Sequence, residues 1–283
     1  MWNDVAAAIH AAGGEAGEPS AVLPVGGGEI SAAFRFECGG RSYFVKCNRR
    51  GAGFDAEAAA LGLLGTRIRV PQPVCSGQSG DRSFLVLEWL ELQGQGDDAR
   101  LGEALAEVHR LTMPRFGWDI DNTIGRTRQA NGWLSDWPAF WLQRRLAPQL
   151  ELAAHSGARL RDGDALLAAL PALFDGYAPA ASLLHGDLWS GNAAFLADGT
   201  PALFDPASYF GDRETDLAMT ELFGGFSPRF YAAYRAAWPL DPGYRERRTL
   251  YQLYHVLNHY NLFGGHYRDA AQRMIRELLA QLR

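Results

Sequence analysis

Three side chains in the second half of the chain have the types and the spacing of a phosphoryl-transfer site. Asn192 lies five residues after Asp187, and Asp205 ends the apolar run that follows. A carboxylate can accept the proton of an attacking hydroxyl, while an amide oxygen and a second carboxylate can hold Mg²⁺ against a triphosphate. The order of these groups therefore predicts that Asp187 is the catalytic proton acceptor and that Asn192 and Asp205 are metal ligands.

Each of these residues also has an ordinary structural explanation. An Asp in such a loop commonly forms a turn or caps a helix, and an Asn after Gly191 is commonly a turn residue. The joint spacing, with a strand that ends at Asp205, favours the chemical interpretation. Inside the same loop, Trp189 either packs in the core or stacks on the apolar face of a sugar substrate, and its context favours neither.

A glycine-rich segment near the amino end could supply phosphate contacts. Gly26-Gly27-Gly28-Glu29-Ile30-Ser31 could turn several N–H groups toward one anion, although a triple glycine is more often only a flexible turn. The segment precedes a strand pair that ends in a lysine, which favours a nucleotide-binding role. We expect the contacts to come from Gly27, Gly28, Ile30 and Ser31.

The lysine at the end of that strand pair is Lys46, which follows the apolar residues 43–45. Its ammonium group could bind the α- and β-phosphates, oriented by a carboxylate on the next helix. A lysine at a strand end is more often simply solvated, so the functional interpretation depends on the motif around Asp187. Glu57 is the preferred carboxylate partner, and Asp55 is a rival that the sequence leaves open.

The elements that must position these groups change in type along the chain. Residues 32–37 and 41–46 predict a hairpin around the tight turn Gly39-Gly40. A helix at 54–64, a loop opened by Pro71 and Pro73, and a short buried strand at 83–87 complete the first part. Further helices are predicted at 100–111, 135–152, 163–174, 214–223, 227–237, 244–263 and 267–282, around loop and short strands at 182–205.

This distribution predicts an α+β fold of two domains, with a β-rich domain at 1–90 and a mostly helical domain at 91–283. The chain has 283 residues and a net charge of −5, which argues against a dedicated nucleic-acid binder. No apolar run approaches the roughly 18 residues that cross a bilayer. Neither a basic start nor an apolar signal segment is present. We therefore expect a cytoplasmic protein with neither membrane nor nucleic-acid partners. The three cysteines, Cys38, Cys47 and Cys75, fit reduced thiols there.

Together the motifs resemble the fructosamine kinase (ketosamine-3-kinase) family, a branch of the protein-kinase-like fold that also contains aminoglycoside and choline kinases. The resemblance covers residues 26 to about 267. Aminoglycoside kinases typically have His and Pro where this chain has Trp189 and Ser190, which separates the two branches. The motifs are Gly26-Gly27-Gly28, Tyr43-Phe44-Val45-Lys46, His185-Gly186-Asp187-Leu188-Trp189-Ser190-Gly191-Asn192, Asp205-Pro206-Ala207, and the segments 211–219, 222–226 and 250–265.

The resemblance implies a bilobal kinase fold, ATP and Mg²⁺ as cofactors, and phosphorylation of the 3-hydroxyl of a ketosamine. The phosphorylated adduct is unstable and releases the amine, so the implied role is deglycation. The backbone of Glu88-Trp89-Leu90 would pair with adenine, and His185 would pack and hydrogen-bond the loop. The remaining implied roles are proton acceptance by Asp187, metal binding by Asn192 and Asp205, phosphate binding by Lys46, and orientation of Lys46 by Glu57.

Several features remain alternatives at this point. The acceptor could be another hydroxyl compound, such as an aminoglycoside or choline, or the chain could be a binding protein of this fold without chemistry. Among ketosamines, ribulosamine, erythrulosamine and fructosamine are all open, either free or attached to a protein. Trp118, Asn122 and Trp133 could line the acceptor pocket, and Trp189 could contact the sugar.

Two further expectations concern support and assembly. Asp216, at an acidic helix start, could support the catalytic loop from below. Some family members carry a Cys in the glycine-rich loop, linked to disulfide dimers, whereas this chain has Glu29 there, so we expect a monomer. The aromatic and histidine set of the penultimate helix is expected to be core and not a metal site; it comprises Tyr251, Tyr254, His255, His259, Tyr260 and Phe263.

Overall fold

The first hundred residues form a five-stranded antiparallel sheet that carries two helices. The computed structural model describes residues 1–14, 17–26, 31–49, 53–157 and 159–282. The strands follow the order β1-β2-β3-β5-β4. Their bounds are β1 Pro19–Val25, β2 Ala32–Cys38, β3 Arg41–Arg49, β4 Pro73–Ser79 and β5 Arg82–Glu88, and the helices are α1 Trp2–Ala11 and α2 Phe54–Leu64.

The hairpin of β2 and β3 is present as predicted, and its turn explains the two glycines. Gly39 and Gly40 have φ values of +60° and +75°. Two consecutive left-handed residues are the signature of the turn that best matches the twist of paired strands, and glycine adopts them without a steric penalty. The pairing then aligns Lys46 of β3 with Ala33 of β2 and with Leu85 of β5.

Alternation along β3 determines where the lysine points. Val45 is buried in a core with Val5 and Ile9 of α1. Because successive side chains of a strand face opposite sides of the sheet, Lys46 points away from that core. Its ammonium group meets Glu57 of α2. The two helices therefore serve different purposes, since α1 closes the apolar core and α2 brings a carboxylate to the lysine.

A second hairpin from late in the chain belongs to the same compact unit. Strands β10 Ala193–Phe195 and β11 Pro201–Leu203 pair with each other. Their backbones also pair with Gln93 and Arg69. The strand-rich unit is therefore Met1–Asp97 with Ala193–Pro206, and the helical unit is Asp98–Asn192 with Ala207–Arg283. The division into 1–90 and 91–283 as functional domains stays a prediction.

The helical unit contains eight helices among its described residues, with short strands between them. The helices are α3 Asp98–His109, α4 Trp137–Trp141, α5 Ala147–His155, α6 Gly163–Ala169, α7 Glu214–Thr220, α8 Pro228–Ala237, α9 Tyr244–Phe263 and α10 Tyr267–Gln281. The strands are β6 Thr112–Met113, β7 Asn122–Ile124, β8 Thr127–Gln129, β9 Ala181–Leu183 and β12 Phe210–Gly211. Across the described part of the chain, no helix is both long and apolar enough to span a membrane.

The structure differs from the predicted elements in several places. Helix α1 and strand β1 were not expected, and β4 begins at Pro73, where a loop was predicted. The predicted helix 135–152 is divided by a π-helical turn at Leu142–Leu146. Pro148 explains the break, because it has no N–H to bond the carbonyl of Arg144. The guanidinium group of Arg145 donates to that carbonyl instead, at 3.0 Å.

Candidate active site

Lys46 lies between two carboxylates within the strand-rich unit. Its Nζ donates to Glu57 Oε1 at 2.6 Å and also to Asp205 Oδ1. Burial alone would lower the pKa of Lys46, but the charges of Glu57 and Asp205 outweigh it and raise the pKa. The lysine therefore stays charged. It was expected at a strand end, but β3 continues to Arg49, and Lys46 is a buried cation within the strand.

The competition between the two possible acidic partners is settled by the faces of α2. Asp55 points to the sheet edge, where its carboxylate accepts from the Ser76 hydroxyl at 2.9 Å. Glu57 is largely enclosed instead, with 16% of its side chain exposed. Desolvation raises its pKa, an effect that the positive charge of Lys46 partly offsets. Lys46 thus pairs with Glu57, as the sequence favoured.

Asp205 has an unusual backbone. Its φ is +57°, one of only two positive values among non-glycine residues in the described part of the chain. A left-handed residue with a side chain costs about 1–2 kcal/mol, a cost that Asp tolerates better than most residues. Strained backbone conformations are often found at functional positions. Here the Asp205 carboxylate, just after β11, contacts the ammonium group of Lys46.

The glycine-rich segment lies largely outside the described residues. This holds for Gly27, Gly28 and Ile30, so their nucleotide contacts remain predictions. Ser31 is described, and its hydroxyl accepts from the Asn48 amide at 3.0 Å. That bond links the end of the segment to the strand that carries Lys46.

The predicted adenine-binding stretch follows β5 directly. The N–H of Glu88 donates to the carbonyl of Gln72 at 2.8 Å, and its carboxylate pairs with Arg69. The Trp89 ring lies under the guanidinium group of Arg35 at 5.0 Å. Leu90 is partly exposed. The stretch is thus anchored at Glu88, and adenine recognition by it stays a prediction.

The catalytic loop, residues 185–192, is held from below by a buried carboxylate in the helical unit. Asp216 accepts from the backbone N–H groups of His185 at 2.7 Å and Gly186 at 2.9 Å. It also bonds His109 Nε2 at 3.1 Å. Burial would raise the pKa of Asp216, but these hydrogen bonds and the nearby histidines lower it. The support predicted for Asp216 is therefore present.

Gly186 is required at its position for two reasons. Its φ is +84°, and a Cβ there would lie 2.1 Å from the carbonyl oxygen of Ala207. Beside it, His185 is fully buried, and its Nδ1 accepts from the N–H of Asp187 at 3.3 Å. A buried ring that orders the loop fits the structural role expected for His185.

Asp187 and Asn192 lie together on this loop, Asp187 partly exposed and Asn192 buried. The amide nitrogen of Asn192 donates to the backbone carbonyl of Asp187 at 2.8 Å and approaches its carboxylate at 3.4 Å. With its nitrogen committed in this way, the amide oxygen of Asn192 is directed elsewhere. The short 3₁₀ turn Ser190–Asn192 provides this geometry.

Trp189 is not a core residue. Its side chain is 40% exposed, an unusual state for so large an apolar group. One face of the ring covers Gly191, where a Cβ would come within 2.2 Å of the ring. Gly191 therefore lets the indole lie flat on the loop, and the core-packing alternative is wrong.

The residues expected to line an acceptor pocket differ in their exposure to solvent. Trp118 and Asn122 are buried, while Trp133 is half-buried and donates through Nε1 to Asp119 at 2.7 Å. On α9, Tyr251, Tyr254 and His255 are core residues, as expected. The same expectation is wrong for Phe263, which is 47% exposed, and His259 and Tyr260 are only partly buried. His259 lies in a partly exposed aromatic group with Phe223, Phe263 and Tyr267.

Sequence reasoning missed His109 and a group of buried amides on and after β7 and β8, of which it named only Asn122, as a possible pocket residue. His109 ends α3, fully buried, with its Nδ1 at 2.7 Å from the Tyr234 hydroxyl. Burial lowers the pKa of His109, a shift that its hydrogen bond with Asp216 and the charge of Asp216 partly oppose. Its only sequence signal was a position on the apolar face of a predicted helix.

Comparison with known proteins relates the whole chain to one family. The family model for fructosamine kinase matches residues 1–281. A probable ketoamine kinase from Synechocystis sp. is 42% identical over 285 residues, which covers 98% of this chain and 97% of the relative. The chloroplastic protein-ribulosamine 3-kinase of Arabidopsis thaliana is 41% identical over 281 residues, which covers 95% of this chain and 86% of the relative.

Solved structures extend the comparison to the fold. A protein from Haemophilus somnus 129PT, provisionally assigned as a fructosamine-3-kinase, matches with a TM-score of 0.93 at 29% identity, covering 99% of this chain and 98% of its own. The aminoglycoside phosphotransferase APH(4)-Ia, in complex with AMP-PNP and hygromycin B, matches with a TM-score of 0.64 at 18% identity, covering 92% and 94%. The second likeness is one of fold alone. Together they confirm the predicted α+β, protein-kinase-like fold.

Proposed function

The chain belongs to the fructosamine kinase family, and from this we propose that it is an ATP-dependent kinase that phosphorylates the 3-hydroxyl of ketosamines. The observation that carries the proposal is the family match over residues 1–281 in a chain that retains Lys46, Asp187, Asn192 and Asp205. Loss of the phosphorylated sugar then frees the amine, so the biological role is deglycation.

Asp187 is proposed as the proton acceptor. During transfer, the acceptor oxygen forms a bond to the γ-phosphorus, the bond from that phosphorus to the ADP oxygen breaks, and the hydroxyl proton passes to the Asp187 carboxylate. The support is its place on a loop that is bonded to Asp216 through two backbone N–H groups. A base held in this way keeps one position while substrates exchange.

Lys46 is proposed to bind the phosphates of ATP, with Glu57 as its orienting partner. The raised pKa of Lys46, caused by two carboxylates that outweigh its burial, keeps it charged at any physiological pH. Gly27, Gly28, Ile30 and Ser31 would add contacts from the glycine-rich segment, and Glu88-Trp89-Leu90 would bind adenine.

Asn192 and Asp205 are proposed as magnesium ligands, and their chemistry fits. Mg²⁺ prefers hard oxygen donors, and each residue offers one: the carboxylate of a strained Asp205 and the amide oxygen of Asn192, whose nitrogen is committed to Asp187. When bound, Mg²⁺ neutralises charge on the transferring phosphoryl group. The protein's part is to present the two oxygens.

Trp189 is proposed as a platform for the sugar of the acceptor. Its ring is 40% exposed and rests on Gly191, two positions from the proposed base. An indole face suits the apolar face of a sugar. The name of the Arabidopsis relative refers to protein-bound ribulosamine, so we propose ribulosamines as the first acceptors to test, ahead of fructosamines and erythrulosamines.

Localisation and oligomeric state are inferred from the cysteines. We propose a cytoplasmic monomer, supported by the three free cysteines and by Glu29 in place of a loop cysteine. Gel filtration under reducing and oxidising conditions tests the monomer. A dimer in either condition contradicts it.

The deciding experiment is an ATP-consumption assay with Mg²⁺ against ribulose-lysine, fructose-lysine and an aminoglycoside. We expect turnover on at least one ketosamine and none on the aminoglycoside. Asp187→Ala serves as the inactive control for contaminating ATPases. Turnover on the aminoglycoside alone, or on no acceptor while ATP still binds, would reject the proposed activity.

A further inference from the structure

A group of three buried amides lies on the short hairpin of β7 and β8 and directly after it. Asn122, Gln129 and Asn131, here called the amide cluster, have exposed fractions of 8%, 1% and 0%. Buried amides are costly unless each polar atom has a partner. Apolar side chains at these three positions would avoid that cost. The presence of three neighbouring amides therefore suggests that their hydrogen bonds have a specific role.

The cluster is bonded to the backbone that follows Asp205. Gln129 Nε2 donates to the carbonyl of Ala207 at 3.4 Å, and Asn122 Nδ2 donates to the carbonyl of Ser208 at 2.8 Å. Two side chains of one hairpin thus bond two consecutive carbonyls. The bond from Gln129 is long, so the bond from Asn122 contributes more to fixing residues 207–208.

The same two residues are bonded on their other side to the catalytic loop. The N–H of Ala207 donates to the carbonyl of His185 at 2.9 Å, and the Ser208 hydroxyl approaches that carbonyl at 3.4 Å. Residues 207–208 therefore lie between the amide cluster and the start of the catalytic loop. A displacement of either neighbour would be passed to the other through two hydrogen-bonded residues.

The orientation of each amide is determined by its other partners. Asn122 Oδ1 accepts from Gln129 at 3.0 Å and from Asn131 at 3.0 Å. Gln129 Oε1 accepts from the Tyr254 hydroxyl at 2.7 Å, and Asn131 Oδ1 accepts from Arg145 at 2.6 Å. Because every oxygen of the cluster is an acceptor within the network, the nitrogens of Asn122 and Gln129 must face the two carbonyls. The network is therefore directional and cannot flip.

We propose that Asn122 and Gln129 are positioning residues, which hold residues 207–208 and through them the catalytic loop. They touch no reacting atom. The inference rests on the proposed function for its effect on turnover, while its effect on the backbone is independent of any substrate. It also explains why the hairpin β7–β8 carries amides where leucine or methionine would avoid the desolvation cost.

The chain offers a matched control. Gln149 is as buried as Gln129, at 2% exposure, and it bonds Asn258 at 3.2 Å and Asn261 at 2.7 Å. In the described structure it makes no hydrogen bond to residues 207–208. Gln129→Met and Gln149→Met therefore remove the same amide from equally buried sites, and only the first removes a donor to the segment.

The test measures amide hydrogen exchange of a peptide spanning residues 204–210, together with kcat and KM. For Gln129→Met we expect exchange about 10-fold faster and kcat about 10-fold lower with little change in KM. Gln149→Met should leave both near wild type, although both variants lower Tm. Asn122→Leu, which keeps the size of the side chain but loses the donor to Ser208, should repeat the Gln129 result if Gln129→Met fails to fold.

Equal exchange in the Gln129 and Gln149 variants would overturn the inference, as would faster exchange with unchanged kcat in an active enzyme. If wild type turns over no ketosamine, the proposed function fails by itself. The exchange comparison then still decides whether the amide cluster holds the segment.

Discussion

The two sets of functional residues are held by different means. In the strand-rich unit, Lys46, Glu57 and Asp205 hold one another by charge. In the helical unit, the loop that carries Asp187 is held through its backbone by Asp216. Ion-paired side chains can exchange partners when a charged ligand arrives, whereas a loop bonded through backbone N–H groups keeps its shape. The first set is thus suited to the phosphate binding proposed for Lys46, and the second to the proposed role of Asp187 as a base held in place.

The largest expected effect concerns the base itself. Asp187→Ala should lower kcat by about 10³-fold, within the range of general-base catalysis, with ATP affinity unchanged. Because Asn192 bonds the backbone carbonyl of Asp187, the loop should survive, and Tm should shift little. Turnover and calorimetric ATP binding measure this. Asp175→Ala, at an exposed site, is the control. A large drop in Tm would show that Asp187 also supports the loop.

The next prediction tests whether Asp216 holds the catalytic loop. Asp216→Ala leaves the N–H groups of His185 and Gly186 and the ring of His109 without their acceptor in a buried site. Loss of one member of such a network costs about 3–5 kcal/mol, which lowers Tm by about 10 °C in a chain of this size. Activity should fall with it. Thermal unfolding measures the change, and a variant as stable as wild type would mean that other contacts hold the loop.

The third prediction compares the two acidic residues of α2, Glu57 and Asp55, in their effect on ATP kinetics. Glu57→Gln removes the charge that pairs with Lys46, so KM for ATP should rise or kcat fall by about 10-fold. Asp55→Asn changes a residue of the same helix whose carboxylate accepts from Ser76 and not from Lys46 among the described residues, and it should behave as wild type. Steady-state kinetics with varied ATP decides between them. Equal effects in both variants would assign the result to helix α2 and not to the ion pair.

Much of this arrangement was predictable because its signals are local. The turn at Gly39-Gly40 defines a hairpin, the strand period places Lys46 on one face, and the spacing from Asp187 to Asn192 belongs to a single loop. Local patterns also gave Glu57 as the better partner of Lys46.

What escaped prediction depends on distant pairings. The hairpin β10–β11 joins the strand-rich unit through Arg69 and Gln93, which are over a hundred residues earlier in the chain. Asn122 was expected only as a possible pocket residue and Gln129 was not singled out, because their partners on residues 207–208 are also remote in sequence. Pro148 was a local signal of a broken helix that the apolar periodicity of residues 135–152 concealed.

The smallest expected effect concerns α7, the helix that carries Asp216. At the start of α7, Glu214 is bonded by Arg247 at 2.8 Å and 3.0 Å. Burial raises the pKa of Glu214 to about 7; the bonds from Arg247 oppose this shift, and the nearby charge of Asp212 adds to it. The carboxyl that supports the loop, Asp216, has a lowered pKa instead. Acids two residues apart on one helix thus respond to pH in opposite directions.

The sign of the Glu214 effect follows from proton uptake on folding. Between the ordinary value of 4.5 and about 7, the folded chain holds a proton on Glu214 that the unfolded chain has released. Its contribution to stability is therefore complete below pH 4.5 and is lost as pH rises to 7. We expect the Tm of wild type, measured relative to Glu214→Gln, to fall by about 5 °C across that window. A difference that stays constant with pH would show that Arg247 keeps Glu214 ionised throughout, and that α7 rests on a permanent ion pair like the one between Lys46 and Glu57.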